Sequence, residues 1–492
     1  MKTLFVIIFI VYCLITVFIF LYTLMQLHLT AAYIRYKKKK KQNTTTVYNE
    51  LIIPDKIVTI QLPMFNEPFV AERLIDAVCN IEYPKHLLEI QVLDDSTDKT
   101  VDIVDMAVAR WQKKGIDIKA IRRTERSGFK AGALKFGLSI AKGEYIAIFD
   151  ADFVPSKDFL QKTVPALSSP EIGMVQTRWG HINRHYSLLT QTQAFWLENH
   201  FRIEQTSRSN LGLFFNFNGT AGVWKKQAIL DGGNWQSDTL TEDLDLSYRS
   251  LLSGWKFVYL EDIVSPAELP PTVNAFKSQQ YRWTKGGAEV SKKLLPKLFK
   301  AKIPLTVKIH AIGHLLNSFV YLSVSLAALL SIPLLFIKDF SPSLYATFTI
   351  LSVFFLNLII LTISYYTATK EYFIGSNFFS FLKSFHLHLS LSSAMSFFNS
   401  NAVLHGFFGK KTPFVRTPKY NTEATGNIAL RFFSQKTLSK DFPITLLLFL
   451  VFFTAAIYGI FSANWSFLLF HITLAIGFFT LLIQHNKKTK DS

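Results

Sequence analysis

Long runs of apolar residues lie near both ends of the chain, and a polar segment lies between residues 37 and 309. The first run, residues 3–25, contains no charged side chain and exceeds the roughly 20 residues that a helix needs to cross a bilayer. It is longer than the apolar part of a cleavable signal peptide, and most of the positive charge follows it. Further runs that predict spans are residues 312–336, 344–366, 442–461 and 465–484. The pattern therefore predicts a membrane protein with five spans.

One apolar segment, residues 378–404, differs from these runs because it contains Lys383, His386 and His388 and is rich in Ser and Asn. An unpaired lysine in the middle of a bilayer costs roughly 3 kcal/mol. We therefore predict that this segment is a helix along the cytoplasmic interface rather than a span.

Lysine residues concentrate beside the apolar runs, at 37–41, 285–302, 410–419 and 487–490. By the positive-inside rule these clusters and the polar segment are predicted to lie in the cytosol. The formal net charge of +18 is then explained by topology and by contact with the lipid bilayer rather than by nucleic acid. Cys13 and Cys79 offer neither a disulfide framework nor a metal site.

The polar segment alternates between strand patterns and helix patterns. Apolar, β-branched strands are predicted at 57–62, 88–93, 116–121 and 144–149, with helices at 70–80, from about Lys99, and at 128–141. Ser96 or Thr97 is the expected cap of the helix near Lys99. This alternation predicts an α/β domain with a mainly parallel sheet and helices on both faces.

Acidic residues follow three of these strands. Glu67, the Asp94-Asp95 pair, and the Asp150-x-Asp152 pair should gather at the carboxyl edge of the sheet, where such sheets bind ligands. Carboxylates crowded there repel one another unless a cation lies between them. Asp150 and Asp152 suit Mg²⁺ or Mn²⁺ shared with the diphosphate of a nucleotide sugar; as an alternative, they are solvated turn aspartates.

Asp94 and Asp95 also have two interpretations, as helix caps or as acceptors for the base or ribose of a nucleotide. Thr241-Glu242-Asp243 follows a glycine-containing loop at 218–222. These residues either cap and stabilise a helix start, with Thr241 as the cap, or provide catalytic carboxylates. Glycosyl transfer with inversion needs one base on the acceptor side, and Asp243 is the candidate.

The pentapeptide Gln-Gln-Tyr-Arg-Trp at 279–283 precedes the second apolar run by about 30 residues. Arg282 can bind a diphosphate through a bidentate contact, and Trp283 offers a flat surface to a sugar ring. An interfacial Arg-Trp belt beside the membrane is the alternative.

Together these residues resemble the processive family 2 glycosyltransferases of the cellulose-synthase-like superfamily. The resemblance covers nearly the whole chain from Ile57 onward. Within that superfamily it is strongest to the plant A-type and C-type proteins, associated with β-1,4-mannan or glucomannan and with β-1,4-glucan. The stretches that carry this likeness are residues 61–67, 91–98, 130–134, 148–153, 217–224 and 279–283.

The resemblance implies a GT-A fold, Rossmann-like, inserted between transmembrane helices, and an inverting hexosyl transfer. It implies a donor such as UDP-glucose or GDP-mannose and a growing polysaccharide as acceptor, with accessory subunits or a homo-oligomer as further partners. The roles it implies are nucleotide binding by Glu67, Asp94, Asp95 and Lys130, metal and diphosphate binding by Asp150 and Asp152, catalysis by Asp243 with Glu242 beside it, and an acceptor and diphosphate site at Gln279, Arg282 and Trp283.

Residues 414–419 resemble the gating loop of cellulose synthases, although Arg416 and Tyr420 depart from its pattern. Thr417 and Lys419 match the positions that touch the nucleotide. The expected organisation is a first transmembrane helix (1–33), a cytosolic GT-A domain with interfacial helices (34–309), and a channel region (310–492) with an interface helix at 378–404 and a gating-type loop at 405–440. The expected membrane is the inner or plasma membrane of a bacterium, or the Golgi or plasma membrane of a eukaryote.

Two other functions fit some of these features. Non-processive glycosylation of a membrane lipid, as in ceramide glucosyltransferases, shares the acidic motifs and an Arg-Trp element. Five spans and the 414–419 loop favour a polymer, because a lipid acceptor needs neither a channel nor a gate. A transporter without catalysis should carry charges inside its spans, and the five predicted spans contain almost none.

Overall fold

A computed structural model describes residues 2–42, 55–336, 353–375, 377–412, 417, 419, 421, 441–462, 464–465 and 467–486. The first apolar run forms the start of a long helix, α1 (Lys2–Gln42), which continues through the lysine block. Its last turns contact the polar domain, where the Tyr33 hydroxyl donates to Glu261 at 2.7 Å and Lys37 lies 3.1 Å from the same carboxylate. The basic end of the helix is thus attached to the domain that follows.

The described part of the polar domain contains a seven-stranded sheet in the order β3-β2-β1-β4-β6-β5-β7. The strands are β1 (Val58–Met64), β2 (Leu88–Asp94), β3 (Ile118–Ile121), β4 (Tyr145–Ile148), β5 (Ile172–His181), β6 (Gly222–Lys225) and β7 (Lys256–Ala267). The first four are parallel and match the predicted strands, while β6 runs antiparallel to both of its neighbours. The predicted, mainly parallel sheet is confirmed, with one reversed strand that the sequence pattern did not show.

Both faces of this sheet are covered. Along β4, Tyr145 and Ala147 belong to one buried cluster, whereas Ile146 and Ile148 belong to the other. Successive side chains of a strand point to opposite faces, so two apolar cores require helices on each side. The described α-helices of the polar domain are α2 (Ala71–Cys79), α3 (Thr100–Gln112), α4 (Phe129–Ile140), α5 (Phe159–Thr163), α6 (Leu188–Glu198), α7 (Thr206–Asn210), α8 (Lys226–Asp231), α9 (Glu242–Leu252) and α10 (Val273–Lys300). The first core includes residues of α2 and α3, and the second includes residues of α4, α9 and α10.

Two helix starts differ from the side-chain caps that the sequence predicted. Helix α3 begins at Thr100 with Lys99 at the cap position, and the Thr100 backbone N–H donates to the Asp98 carboxylate at 2.9 Å, so neither Ser96 nor Thr97 is the cap. Thr241 precedes α9 as predicted, but its side chain makes no capping hydrogen bond.

The remaining α-helices in the described part of the chain are α11 (Leu305–Leu315), α12 (Asn317–Leu334), α13 (Val353–Thr369), α14 (Phe378–Phe407), α15 (Phe442–Phe461) and α16 (Leu468–Asn486). Among the described residues, α1, α12 and α15 are long and apolar enough to cross a membrane. The predicted span 312–336 is two helices, because the chain breaks at Leu316. Part of the predicted span 344–366 and the basic residues 487–490 lie outside the described residues.

Helix α14 contains the segment predicted to lie along the membrane interface. It packs along α10, α12 and α16. Its approach to α16 is so close that a Cβ at Gly477 would lie 2.0 Å from the Ser390 carbonyl oxygen. The helix therefore joins the polar domain, through α10, to the apolar helices. The interfacial placement of residues 378–404 stays a prediction.

Candidate active site

A cleft opens at the carboxyl edge of β1 and β4, on the side where the acidic residues were predicted to gather. Glu67, Asp95, Asp150 and Asp152 all line it, as the strand ends require. Asp94 does not line it. The other residues around the cleft are Pro63, Met64, Phe65, Arg126, Lys130, Ala133, Ala151, Arg282, Thr417 and Lys419.

Asp94 and Asp95 are each bound by an arginine that follows β3. The Asp94 carboxylate is buried, lies 3.0 Å from the Arg122 guanidinium and accepts the Ser96 backbone N–H at 3.0 Å. Asp95 accepts two hydrogen bonds from Arg123, one from Nε at 3.1 Å. Asp94 thus stabilises its own loop, whereas Asp95 reaches the cleft. Neither arginine was identified from the sequence as a partner of these aspartates. The position of the two arginines directly after a predicted strand could have indicated it.

Lys130 connects three segments at the floor of the cleft. Its ammonium group lies 2.6 Å from Asp150 Oδ1, 2.9 Å from the Gly219 carbonyl oxygen and 3.9 Å from Glu242. Burial alone would lower the pKa of Lys130, but the carboxylates of Asp150, Glu242 and Asp243 more than offset burial and raise it. The lysine is therefore a fixed positive charge among carboxylates.

The Asp150-x-Asp152 pair carries two ammonium partners in this structure. Asp150 is paired with Lys130, and Asp152 Oδ2 lies 2.7 Å from Lys419. Asp152 Oδ1 is buried and has no hydrogen-bond partner among the described residues. A buried, unpaired carboxylate oxygen is costly unless another group binds it.

These two carboxylates fit a divalent cation. No cluster of three or more His, Cys, Asp or Glu side chains suited to a metal occurs in the described part of the chain. Mg²⁺ and Mn²⁺ sites that also use substrate phosphates need only one or two protein carboxylates. Asp150 and Asp152 meet that requirement, and the unpaired oxygen of Asp152 is a ready ligand.

Glu242 and Asp243 form the first turn of α9, next to the glycine loop. Burial and the Glu242 carboxylate raise the pKa of Asp243 to about 7, and burial also raises the pKa of Glu242. Gly219 adopts a left-handed φ of +80°, and a Cβ there would lie 3.0 Å from Asp243 Oδ2. Only glycine adopts this conformation without strain, so the loop can pass directly against the carboxylate. An aspartate that exchanges its proton near pH 7 is suited to act as a general base.

The pentapeptide lies within α10, and its residues face different parts of the structure. Arg282 lines the cleft and donates to the Thr417 hydroxyl at 2.7 Å. The Trp283 ring lies 6.4 Å from that of Trp179 and 6.3 Å from that of Trp196. Gln279 is half-buried and is not part of the cleft lining, so its predicted acceptor role stays a prediction.

Trp179, Trp196 and Trp283 form an aromatic cluster that the sequence did not reveal, since Trp179 lies on β5 and Trp196 on α6. Trp196 also lines a second cavity among the helices, together with Gln280 of the pentapeptide. The other residues around that cavity are Thr192, Gln193, Phe276, Tyr321, His388, Leu391, Ser392, Met395 and Asn399. The aromatic cluster therefore borders a cavity with several polar side chains through Trp196, and its Trp283 directly follows Arg282 of the acidic cleft.

The segment after α14 has three described residues near the cleft, and two of them line it. Thr417 and Lys419 line it, while their contact with a nucleotide stays a prediction. Asn421 accepts from Arg73 Nη1 at 2.7 Å, and its backbone N–H donates to Glu268 at 2.9 Å. Most of the predicted gating-type loop, including Phe414, Val415, Arg416, Pro418 and Tyr420, lies outside the described residues.

Two family models match the chain: "Glycosyl transferase family 2" over residues 59–229 and "Glycosyl transferase family group 2" over residues 145–369. The chain belongs to the family 2 glycosyltransferases. The matched residues span the sheet, the cleft apart from Thr417 and Lys419, the aromatic cluster and α10–α13. The predicted family is confirmed.

Plant proteins are among the similar curated sequences. Probable glucomannan 4-beta-mannosyltransferase 11 of Oryza sativa subsp. japonica is 47% identical over 260 residues, which are 52% of this chain and 46% of the rice protein. Glucomannan 4-beta-mannosyltransferase 9 of Arabidopsis thaliana is 44% identical over 262 residues, 52% of this chain and 49% of that protein. The aligned region thus spans about half the length of these relatives. The predicted likeness to mannan-synthesising members is confirmed.

Among solved structures, the mannosyltransferase PcManGT of Pyrobaculum calidifontis, in complex with GDP-Man and Mn²⁺, has a similar fold. Its TM-score is 0.50 at 19% sequence identity, and the match covers 80% of this chain and all of that one. Together with the family match, this likeness confirms the predicted GT-A fold.

Proposed function

We propose that this protein polymerises a β-linked hexose polysaccharide, a mannan or glucomannan, from a nucleotide sugar and passes the product into the membrane. The observation that supports this most directly is a continuous arrangement. Lys130 lines the acidic cleft, and Gly219 lies against both Lys130 and Asp243. Arg282 of the cleft is followed directly by Trp283, which packs with Trp179 and Trp196, and Trp196 borders a cavity among the helices. The plant relatives named as glucomannan mannosyltransferases support the same substrate class.

The chain's own residues suffice for the steps at the acceptor and the donor. Asp243 accepts the proton of the attacking sugar hydroxyl, and burial together with the Glu242 carboxylate keeps the pKa of Asp243 high enough for that role. Lys130, Arg282 and Lys419 surround the position of the diphosphate and stabilise its charge as it leaves. Mg²⁺ or Mn²⁺, held by Asp150 and Asp152, would supply further positive charge at the diphosphate.

For the membrane arrangement, we propose that the GT-A domain is cytosolic and that the chain crosses the membrane several times. Three described helices are long and apolar enough to span it, and the lysines at the end of α1 contact the GT-A domain. By the positive-inside rule, this lysine-rich end lies in the cytosol. The proposed division is an N-terminal helix, the GT-A domain and a channel region formed with α12–α16.

Incubation of the purified protein in lipid with labelled GDP-mannose or UDP-glucose and Mn²⁺ or Mg²⁺ tests this function. We expect a high-mass product that a single type of endo-β-mannanase or endo-β-glucanase digests. A labelled product of one sugar on a lipid would instead support the lipid-glycosylating alternative and exclude the polymer.

The pH dependence of kcat/KM should report Asp243. Because only the carboxylate form accepts a proton and its pKa is about 7, activity should fall as the pH drops below about 7. Glu242→Gln removes a neighbouring negative charge, which lowers the pKa of Asp243 and moves the acid limb to lower pH. Asp98→Asn, outside the cleft, is the control. An acid limb that stays in place or moves upward in the Glu242 variant would contradict the assignment.

Trp283→Ala should reduce chain elongation by at least about tenfold while changing donor hydrolysis much less. The lost ring removes a stacking surface for the acceptor sugar, whereas the donor lies in the neighbouring cleft. Trp283→Phe keeps an aromatic face and should retain most of the elongation. Product length and free nucleotide release, measured together, separate the two activities. Equal loss of both in the alanine variant would argue against acceptor stacking.

A further inference from the structure

Helix α10 passes directly against the segment before α9, the helix that carries the proposed base. A Cβ at Gly286 would lie 2.9 Å from the Thr241 backbone nitrogen, so a larger residue there would push this segment away. Three residues later on α10, Glu289 Oε2 accepts the Leu240 backbone N–H at 2.8 Å. Leu240 lies in the connection between α8 and α9, three residues before Asp243. The start of α9 is therefore attached to α10 by close packing and by a hydrogen bond.

Lys285 orients the Glu289 carboxylate from one turn earlier on the same helix. Its side chain is only 3% exposed, and its ammonium nitrogen lies 3.5 Å from Glu289 Oε1. The same ammonium group donates to the Thr412 hydroxyl at 2.6 Å, on the segment that continues to Thr417 in the cleft. A buried ammonium group that binds two partners has little freedom to move. It therefore holds one oxygen of Glu289 and leaves the other oxygen to accept from Leu240.

The position of α9 matters because its first turn carries Asp243. Thr241 makes no side-chain capping hydrogen bond at the start of this helix, so the contact from Glu289 is one of the bonds that fix its entry. A hydrogen bond to a charged carboxylate is stronger than one between neutral groups. A general base must lie within hydrogen-bond reach of the hydroxyl that it deprotonates, and a displacement of roughly 1 Å can cost about 100-fold in rate.

We propose that Glu289 is a positioning residue for sugar transfer, which fixes the backbone at Leu240 and thereby holds Asp243 in place for the acceptor hydroxyl. Lys285 acts through Glu289, by keeping its carboxylate in the orientation that binds Leu240. The proposal rests on the proposed function, in which Asp243 is the base. Neither α10 residue is among those that line the cleft, so their effect reaches the reaction through the protein backbone.

Hydrogen exchange of the Leu240 amide tests this contact without an assay of activity. The full-length protein in lipid nanodiscs is compared with Glu289→Ala, Glu289→Gln and the control Lys297→Met, an exposed position on the same helix. Peptides that cover residues 238–243 are followed by mass spectrometry. We expect exchange about tenfold or more faster in the alanine variant, because the amide loses a charged acceptor. The glutamine variant and the control should stay close to the wild type, since the glutamine Oε1 atom can still accept from Leu240.

Transfer from a labelled nucleotide sugar, with kcat and the donor KM measured separately, tests the consequence for the reaction. Glu289→Ala should lower kcat by about 10- to 100-fold and leave the donor KM within about twofold of the wild type, whereas Glu289→Gln should retain most of kcat. Lys285→Met should also lower kcat, and Lys285→Arg should lower it less. In the Glu289→Ala background, Lys285→Met should cause no further loss of kcat, because the lysine acts through the glutamate.

Several results would overturn the proposal. Unchanged exchange at Leu240 or a wild-type kcat in Glu289→Ala would show that the base does not depend on this contact. A donor KM that rises as much as kcat falls would place Glu289 in the donor site, and additive losses in the double variant would mean that Lys285 acts separately. Failure of the proposed function is a different result, because it would appear as a single-sugar lipid product of the wild-type protein. The exchange measurement and the comparison of kcat apply to either product.

Discussion

Asp243→Asn is expected to lower the rate of sugar transfer by about 10²–10⁴-fold while leaving nucleotide affinity within about twofold of the wild type. The substitution removes the group that accepts the proton from the acceptor hydroxyl. It keeps the shape of the side chain, and Asn Oδ1 can still accept the Leu244 backbone N–H that Asp243 Oδ1 accepts at 2.8 Å. The helix start should therefore be preserved, and the loss should appear in the chemical step.

Stopped transfer assays with labelled donor, together with calorimetric titration of GDP and UDP, measure the two effects separately. Asp238→Asn provides a matched control, since Asp238 is exposed and its carboxylate pairs with Lys293 outside the cleft. Nucleotide binding that falls as far as transfer does would mean that Asp243 belongs to the donor site. Transfer at the wild-type rate would reject it as the base altogether.

Removal of Asp243 should also change the charge around Lys130. Glu242, Asp243 and Asp150 all raise the pKa of that lysine, and Lys130 in turn lowers the pKa of the two α9 carboxylates. The groups thus titrate as a set, and each carboxylate is less costly to ionise because the ammonium is present. This coupling explains how several carboxylates can share one edge of the sheet without unfolding it.

The sequence predicted the first half of the sheet well, and the physical reason is local. Strands β1 to β4 are apolar runs between turn residues, so their buried faces are visible in the amino-acid pattern. Strand β6 has only four residues and runs antiparallel, and β5 contains buried polar residues such as Gln176 and Thr177. Neither strand therefore shows the alternation of apolar and polar residues that predicts a strand from sequence.

The residues of the site also divide into those that the sequence could place and those that it could not. Residues that directly follow a strand, such as Asp95 and Asp150, could be placed in the cleft from sequence because the ends of parallel strands meet there. The contacts of Arg123 with Asp95 and of Trp179 with Trp283 join segments that only the folded chain brings together. The spacing of residues along the chain does not predict contacts between such distant segments.

At the acidic edge of the sheet, the sequence predicted that crowded carboxylates need cations, but it did not show that the protein's own lysines supply some of them. Crowded carboxylates require cations, and the described residues already supply two ammonium groups, one from Lys130 and one from Lys419. Asp152 nevertheless retains one buried oxygen without a partner among those residues. The protein's own cations therefore leave a ligand position for a metal ion.

Asp152→Asn is consequently expected to weaken metal-dependent nucleotide binding by about 100-fold or more. Replacing residues that only orient metal ligands already costs about 10- to 100-fold in affinity, so loss of a carboxylate ligand should cost at least as much. Mn²⁺ binding in the presence of GDP, followed by electron paramagnetic resonance, measures the effect without relying on activity. Wild-type Mn²⁺ affinity in this variant would show that the metal, if used, binds elsewhere.

Lys419→Met, compared with Asp152→Asn, tests whether the lysine and a metal ion compete for the same carboxylate. Lys419 Nζ lies 2.7 Å from Asp152 Oδ2, so in this arrangement the lysine neutralises the same carboxylate that a metal would bind. Removing the lysine should leave Mn²⁺ affinity in the absence of nucleotide unchanged or higher, because the metal no longer competes with an ammonium group. Nucleotide affinity should fall, because one cation near the diphosphate is lost. A fall in Mn²⁺ affinity without nucleotide would instead mean that Lys419 positions Asp152 for the metal and does not compete with it.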